Sequence, residues 1–203
     1  MACAKLIETT IQAEGPQTIA EIIVEPIMSA VGVAVPPDEY LPYVESICRK
    51  YDVLLHVDEV INGFGRTGKM FAHQHYGIST DIMAIAKGIV SAYLPIAATV
   101  VKDRVFESFL GEVAEARQVM QVNTYGGHPV AAAVAVRNIE IMLEEKLPER
   151  AATMGAYLME PRKRFHTGAA AVVRPADVAQ VQAVVRWANE KSVGLIQQGG
   201  NTG

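Results

Sequence analysis

The 203-residue sequence lacks the features that mark several large classes of protein. Its two cysteines, Cys3 and Cys48, are too few for a disulfide framework and do not have the spacing of a metal-binding motif, which favours a reducing compartment. The opening residues contain no long apolar run, and no later stretch resembles a membrane span. We therefore expect a cytoplasmic protein that does not enter a membrane.

The charge pattern excludes other classes. The formal net charge is −4, and the cluster Arg162–Arg164 is the only basic run, so the chain has no basic stripe that could follow a nucleic acid. His73 and His75 have the H-x-H spacing of a metal pair, but no third ligand accompanies them. The sequence thus predicts neither a nucleic-acid partner nor a bound metal.

Segments with helical and strand patterns alternate along the chain. Apolar residues recur at helical spacing over residues 3–13, 38–51 and 129–146, while four apolar segments are typical of strands: 20–26, 53–57, 81–86 and 94–101. The segment 53–57 lacks strict alternation, so we expect a parallel strand that is covered on both faces, and we expect 81–86 and 94–101 to be buried strands as well. This alternation predicts an α/β layered fold with its ligand site at the carboxyl ends of strands.

One motif suggests a dinucleotide site. "GFGRTG", residues 63–68, matches the G-x-G-x-x-G pattern, and Asp81 follows at nearly the distance expected of a ribose-binding acid. However, a dinucleotide loop begins where its strand ends and leads directly into a helix. Here "DEVIN" intervenes, two carboxylates precede the loop, and "KMFAHQHYG" is a poor helix former. We therefore expect a shaped loop whose glycines serve backbone geometry.

Two charged residues at strand ends explain more. Asp58 follows the strand "VLLHV", and Lys87 is the only cation within residues 81–101. A lysine that is buried there would be held neutral and nucleophilic, as an imine-forming amine requires. An acid at the neighbouring strand end would hold the pyridine nitrogen of pyridoxal phosphate (PLP) in its protonated form, so that the ring can act as an electron sink. The alternative for Asp58 is a helix cap or turn former, and the alternative for Lys87 is a side chain that reaches solvent.

Residues 3–158, above all "HVDEVINGFGRTG", "AIAKG" and "TYGGHP", resemble the central part of a class III (omega-type) PLP-dependent aminotransferase. The resemblance implies PLP as cofactor and a partial PLP-dependent transferase fold of type I. It implies Lys87 as imine partner, Asp58 at the pyridine nitrogen and Val60 on the ring face. Thr124 would contact the phosphate from the partner subunit of a homodimer. The implied substrates are a small-molecule amine or omega-amino acid and a 2-oxo acid.

The C-terminal segment has a different pattern. Residues 160–203 resemble the start of the FAD-binding domain of FAD-linked oxidases, with "AVVRP" and "VGLIQQ" as strands around a helix that begins after Asp177. We therefore expect two domains, a partial aminotransferase domain at 1–158 and a β-α-β segment at 159–203. The chain would be a truncated or fused transaminase of impaired activity. The alternatives are an FAD-binding oxidase fragment and a remnant without catalysis.

Overall fold

The computed structural model describes residues 2–30, 33–121, 123–158 and 178–192. The chain divides into two compact units, Met1–Ala151 and Ala152–Gly203. The first unit holds the sheet and the chemistry-bearing residues at its strand ends. The sequence predicts a boundary after residue 158, a few residues beyond this division.

Helices and strands alternate as the sequence predicts, which confirms the α/β class. The α-helices are α1 (Ala2–Glu14), α2 (Tyr40–Tyr51), α3 (Asp103–Glu107), α4 (Pro129–Glu144), α5 (Leu147–Leu158) and α6 (Val178–Glu190). The strands are β1 (Glu21–Val24), β2 (Leu54–Asp58), β3 (Ile82–Ile85) and β4 (Ala98–Val101). Short 3-10 helices cover Pro16–Thr18, Ala72–His75, Lys87–Val90 and Val113–Glu115. None of the described helices is both long and apolar enough to span a membrane.

The strands form one mixed sheet in the order β1-β2-β3-β4. The first three run parallel, and β4 returns antiparallel to β3. Asp58 at the end of β2 pairs with Ala84 of β3, and β3 ends one residue later at Ile85. The carboxyl ends of β2 and β3 therefore lie side by side, as the predicted site requires.

The main core lies between the sheet and two helices. One stripe of α2, comprising Leu41, Val44 and Cys48, is fully buried together with Leu55 and Val57 of β2. Burial alternates along β2, however, and its other face is only half-buried. The expectation that this strand is covered on both faces is therefore wrong. Because Asp58 is an odd number of residues from both Leu55 and Val57, its side chain lies on that less covered face.

The last strand corrects a second expectation. Residues 94–101 read as a buried strand, but β4 covers only Ala98–Val101 and three of its four residues are exposed. The physical reason is position, since β4 is one of the two edge strands of the sheet and pairs, among the described strands, with β3 alone. An apolar run alone does not distinguish a central strand from an edge strand.

A second buried cluster joins the end of β3 to α4. It contains Ile85 of β3, Ile89 and Val90 of the following 3-10 helix, Ala135 and Met142 of α4, and Phe64. This cluster lies directly behind the segment that carries Lys87.

In the second unit the structure describes helix α6, Val178–Glu190. This agrees with the predicted helix after Asp177. The two strands predicted around it, "AVVRP" and "VGLIQQ", lie outside the described residues.

Candidate active site

Asp58 forms a turn through one carboxylate oxygen and leaves the other without a hydrogen bond from the described residues. Its Oδ1 accepts a hydrogen bond from the Val60 backbone N–H at 2.9 Å, so the turn-forming interpretation is confirmed. Its Oδ2 accepts none from any described residue. The carboxylate is half-buried, and that second oxygen is available to a ligand.

Lys87 begins the 3-10 helix that follows β3. Its side chain is exposed, so the expectation of a buried amine is wrong. The polypeptide ends β3 two residues earlier and turns outward at Lys87, whose φ of 48° lies in the left-handed region. The apolar residues that flank it, among them Ile85 and Ile89, are buried behind it instead.

A cleft of about 1350 Å³ opens in front of Lys87. Its walls come from residues 86–88 and 90–97, residues 123–128, the loop residues Phe64 and Arg66, and two residues of α4. Among these described residues are the cations Lys87 and Arg66 and no aspartate or glutamate. A cleft with this charge favours an anionic ligand.

The four predicted site residues divide into two pairs. Lys87 and Thr124 line the same cleft. Asp58 and Val60 are not among its lining residues, although Asp58 ends the strand next to that of Lys87. Thr124 is exposed in the turn 123–128 that precedes α4. The roles of these four residues remain predictions.

Glu59, the residue after Asp58, holds a neighbouring segment in place. Its fully buried carboxylate accepts hydrogen bonds from the backbone N–H groups of Ala72 at 3.0 Å and His73 at 2.8 Å. It also lies 2.9 Å from the Nδ1 of His73. Since a buried carboxylate needs such partners, Glu59 has a structural role that the "DEV" motif alone does not indicate.

The glycine motif forms a compact loop. Gly65 and Gly68 have φ of 88° and 95°, a region where L side chains are strained, and Gly63 donates its N–H to the Glu59 carbonyl at 2.9 Å. The 3-10 helix Ala72–His75, rather than a long α-helix, comes next. The prediction of a shaped loop is confirmed.

Asp81 lies just before β3, at the amino end of that strand and thus away from Lys87, and its partners there are structural. Its fully buried carboxylate accepts hydrogen bonds from the Leu55 N–H at 3.0 Å, Arg49 Nη1 at 2.8 Å and Arg104 Nε at 3.2 Å. Burial raises the pKa of Asp81, but these hydrogen bonds outweigh it and lower the pKa to about 2. An acid so fully paired is not free to bind a ribose.

The two histidines of the H-x-H motif are each engaged within the protein. His73 faces Glu59, and the Nε2 of His75 lies 3.1 Å from the carbonyl oxygen of Thr67. Within the described residues, no group of three or more histidine, cysteine, aspartate or glutamate side chains could hold a metal ion.

Comparison with known proteins decides the family. A family model described as aminotransferase class-III matches residues 1–174 of the 203. The chain belongs to the class-III aminotransferase family. The resemblance stated from "DEV", "AKG" and "TYGGHP" is thereby confirmed, and so is the type of fold, because the similar solved structures are transaminases.

Two curated relatives illustrate the match. The chain is 42% identical to YhxA, an uncharacterized aminotransferase of Bacillus subtilis (strain 168), over 92% of this chain and 45% of the relative. It is 44% identical to putrescine–pyruvate aminotransferase of Pseudomonas aeruginosa, over 78% of this chain and 34% of the relative. This class-III aminotransferase chain thus spans between a third and a half of the length of these relatives.

A solved relative shows the same fold. The crystal structure of the omega transaminase from Pseudomonas jessenii in complex with PMP matches with a TM-score of 0.73 and 48% identity. The match covers 76% of this chain and 34% of that one.

The aminotransferase match also extends further than residue 158. The family model reaches residue 174, and the alignment with YhxA covers 92% of the chain. Part of the segment that resembles an FAD-binding domain therefore also aligns with aminotransferases. The matching family model and these relatives are all aminotransferases and do not test the flavin resemblance, which therefore stays a prediction.

Proposed function

We propose that this chain contributes the PLP-binding region of an omega-type transaminase. The reaction would move the amino group of a primary amine or omega-amino acid to a 2-oxo acid, leaving a carbonyl compound and an amino acid. The observation that carries the proposal is the placement of Lys87. It lines a positively charged cleft next to the strand end that bears Asp58, in a chain of the class-III aminotransferase family.

The described residues fit the cofactor in two respects. The cleft offers Lys87 and Arg66 to an anionic group and has no carboxylate among its lining residues. Asp58 keeps one carboxylate oxygen free of hydrogen bonds from the described residues, as a partner for a protonated ring nitrogen requires. When bound, PLP supplies a ring that withdraws electrons from the bond to be broken.

Each of the chain's residues then has a specific task. Lys87 holds the cofactor through Nζ and moves a proton at that atom, and its exposure lets it reach both cofactor and substrate. Asp58 keeps the ring nitrogen protonated through its Oδ2. The hydrogen bond that its Oδ1 accepts from the Val60 N–H fixes the carboxylate in one orientation. Val60 would pack on the ring face.

Thr124 would bind the phosphate group of the PLP that is held by a second copy of the chain. This proposal is supported by its exposed turn and by the apolar side chains exposed nearby, such as Met120 (89%) and Tyr125 (85%). Apolar residues this exposed favour a protein interface. The second copy would place Thr124 within reach of a phosphate bound at the partner's Lys87.

The nature of the substrates is supported by the relatives. One curated relative is a putrescine–pyruvate aminotransferase, and a second is a taurine–pyruvate aminotransferase of Bilophila wadsworthia. A primary amine as donor and a small 2-oxo acid as acceptor are common to both names. We propose the same substrate classes for the protein to which this chain contributes, in the cytoplasm.

The test is covalent capture of the cofactor. The purified chain is incubated with PLP and reduced with borohydride, and the labelled peptide is mapped. We expect the label on Lys87 and its loss in Lys87→Arg, which keeps the positive charge. Lys5→Arg, an exposed lysine of α1, is the matched control and should keep the label. A label spread evenly over the lysines would overturn the proposal.

A further inference from the structure

Helix α4 holds the segment that carries Lys87 through one side chain. The Nδ2 of Asn138 donates hydrogen bonds to the carbonyl oxygens of Gly88 at 2.9 Å and Ile89 at 3.0 Å. Its Oδ1 accepts a hydrogen bond from the Ser91 hydroxyl at 2.8 Å. All three bonds end within four residues of Lys87, and they join parts of the chain about 50 residues apart.

This segment needs an external restraint. Lys87, Ser91 and Ala92 have φ of 48°, 48° and 64°, all in the left-handed region that residues with a Cβ seldom occupy. Such conformations persist only where surrounding contacts enforce them. Two of the hydrogen bonds inside the segment are long, at 3.3 Å from the Ile89 N–H to the Ala86 carbonyl and 3.4 Å from the Ser91 N–H to the Gly88 carbonyl, while that from the Tyr93 N–H to the Val90 carbonyl is 3.0 Å.

We infer that Asn138 is a positioning residue for Lys87. By binding two successive carbonyl groups and one hydroxyl, it selects the strained form of residues 87–92 and so fixes the direction in which the Lys87 side chain leaves the backbone. Asn138 does not itself line the cleft. It therefore acts on the reacting amine only through the backbone, and the inference rests on the proposed role of Lys87.

The three hydrogen bonds can be removed separately. Asn138→Asp keeps an oxygen for the Ser91 hydroxyl but loses both donors to the carbonyl groups, while Ser91→Ala removes only the third bond. Val136→Ala, at an exposed position of α4, is the control for a general effect on the helix. A net loss of two hydrogen bonds predicts a change of about tenfold in the measured quantity.

The first measurement is independent of the cofactor. Amide hydrogen exchange is followed at Ile89, Ser91 and Tyr93, whose N–H groups bond within this segment. We expect exchange about tenfold faster in Asn138→Asp and a smaller change in Ser91→Ala. Amides in β2 serve as the reference, and exchange unchanged relative to them would overturn the inference.

The second measurement reports on Lys87 itself. The rate of borohydride-trapped PLP labelling at Lys87 is measured against PLP concentration, with Lys5 in the same sample as reference. We expect Asn138→Asp to lower the saturating rate about tenfold and to leave the half-saturating concentration within about twofold. A purely structural role would lower the folded fraction and leave the Lys87 to Lys5 ratio in folded protein unchanged, which would overturn the inference.

The two measurements separate this inference from the proposed function. If the unaltered chain takes no label at Lys87, the proposed function is wrong, and the inference that Asn138 positions Lys87 toward the cofactor is wrong with it. If the label is present and the exchange rates change while the labelling rate does not, the proposed function stands and Asn138 only stabilises the turn.

Discussion

Phe64 packs directly against Gly88, the residue after Lys87. A Cβ built on Gly88 would lie 2.9 Å from the Cβ of Phe64, closer than real side chains approach. Phe64 is itself buried, with a φ of 59°. The loop "GFGRTG" thus sets the space available to the segment that carries Lys87, which gives the motif a function without any bound dinucleotide.

We expect Gly88→Ala to displace that segment. Because the contact is with a Cβ close to the backbone, the neighbour cannot simply rotate away, and the variant should lose about 1–3 kcal/mol of unfolding free energy. PLP labelling at Lys87 should fall as well. Urea unfolding and peptide mapping measure the two effects.

Gly111→Ala is the matched control for this substitution. A Cβ there would contact the end of the exposed Glu115 side chain, which can move away. We expect little change in stability or labelling. Equal losses in the two variants would contradict the proposed role of the contact with Phe64.

The Asp81 carboxylate should make the unfolding free energy fall steeply with pH in the acid range. Its pKa of about 2 in the folded protein lies below the ordinary value of 3.8. The stabilisation is therefore complete above about pH 4 and is lost as the pH falls through 2. Asp81→Asn should cost on the order of 2 kcal/mol at neutral pH and flatten the dependence of unfolding free energy on pH in this range.

Asp52→Asn provides the comparison. Asp52 also contacts Arg104, at 3.7 Å, but its side chain is 94% exposed. An exposed pair at this distance contributes little. If both variants have the same acid profile, the buried Asp81 cluster is not the source of the effect.

Replacing Glu59 with glutamine should weaken the hydrogen bonds that hold the segment around Ala72. The buried carboxylate accepts two backbone hydrogen bonds, and an amide in its place presents a donor to at least one N–H group. We expect a loss of about 2 kcal/mol in unfolding free energy, measured by urea titration. Glu14→Gln at the exposed end of α1 should be neutral, and a neutral Glu59→Gln would contradict this role.

Mixing two variants that should each capture PLP poorly tests whether Thr124 acts across a dimer. Lys87→Arg lacks the amine, and Thr124→Ala lacks the proposed phosphate ligand. In a mixed dimer, the intact Lys87 of one chain meets the intact Thr124 of the other. We therefore expect tight PLP capture at one of the two sites of each mixed dimer and at none of the sites of the unmixed dimers, measured by labelling at low PLP concentration. No recovery on mixing would contradict a contribution from the second chain.

We expect this chain by itself to capture PLP without sustained transamination. It spans 34% of the length of the putrescine–pyruvate relative, and catalysis requires the ring and phosphate to be fixed on several sides. Amine transfer to pyruvate is assayed beside the labelling experiment. Sustained turnover that Lys87→Ala abolishes would show that the chain is sufficient.

The sequence by itself determined much of this protein. Helical spacing predicted the stripe Leu41, Val44 and Cys48 of α2, and apolar runs predicted the strands that end at Asp58 and Ile85. The motifs around Lys87 and Thr124 led to the aminotransferase family. These features depend on local periodicity and on short motifs, which a single sequence contains.

Only the tertiary structure decided how exposed each segment is and which long-range contacts fix its position. The apolar residues around Lys87 are buried while Lys87 itself is exposed, since a left-handed turn directs it outward. Residues 98–101 form an edge strand because β3 is their only neighbour among the strands that the structure describes. Asn138 reaches Gly88 across about 50 residues of chain. Such long-range contacts leave no periodic signal, so the sequence could not reveal them.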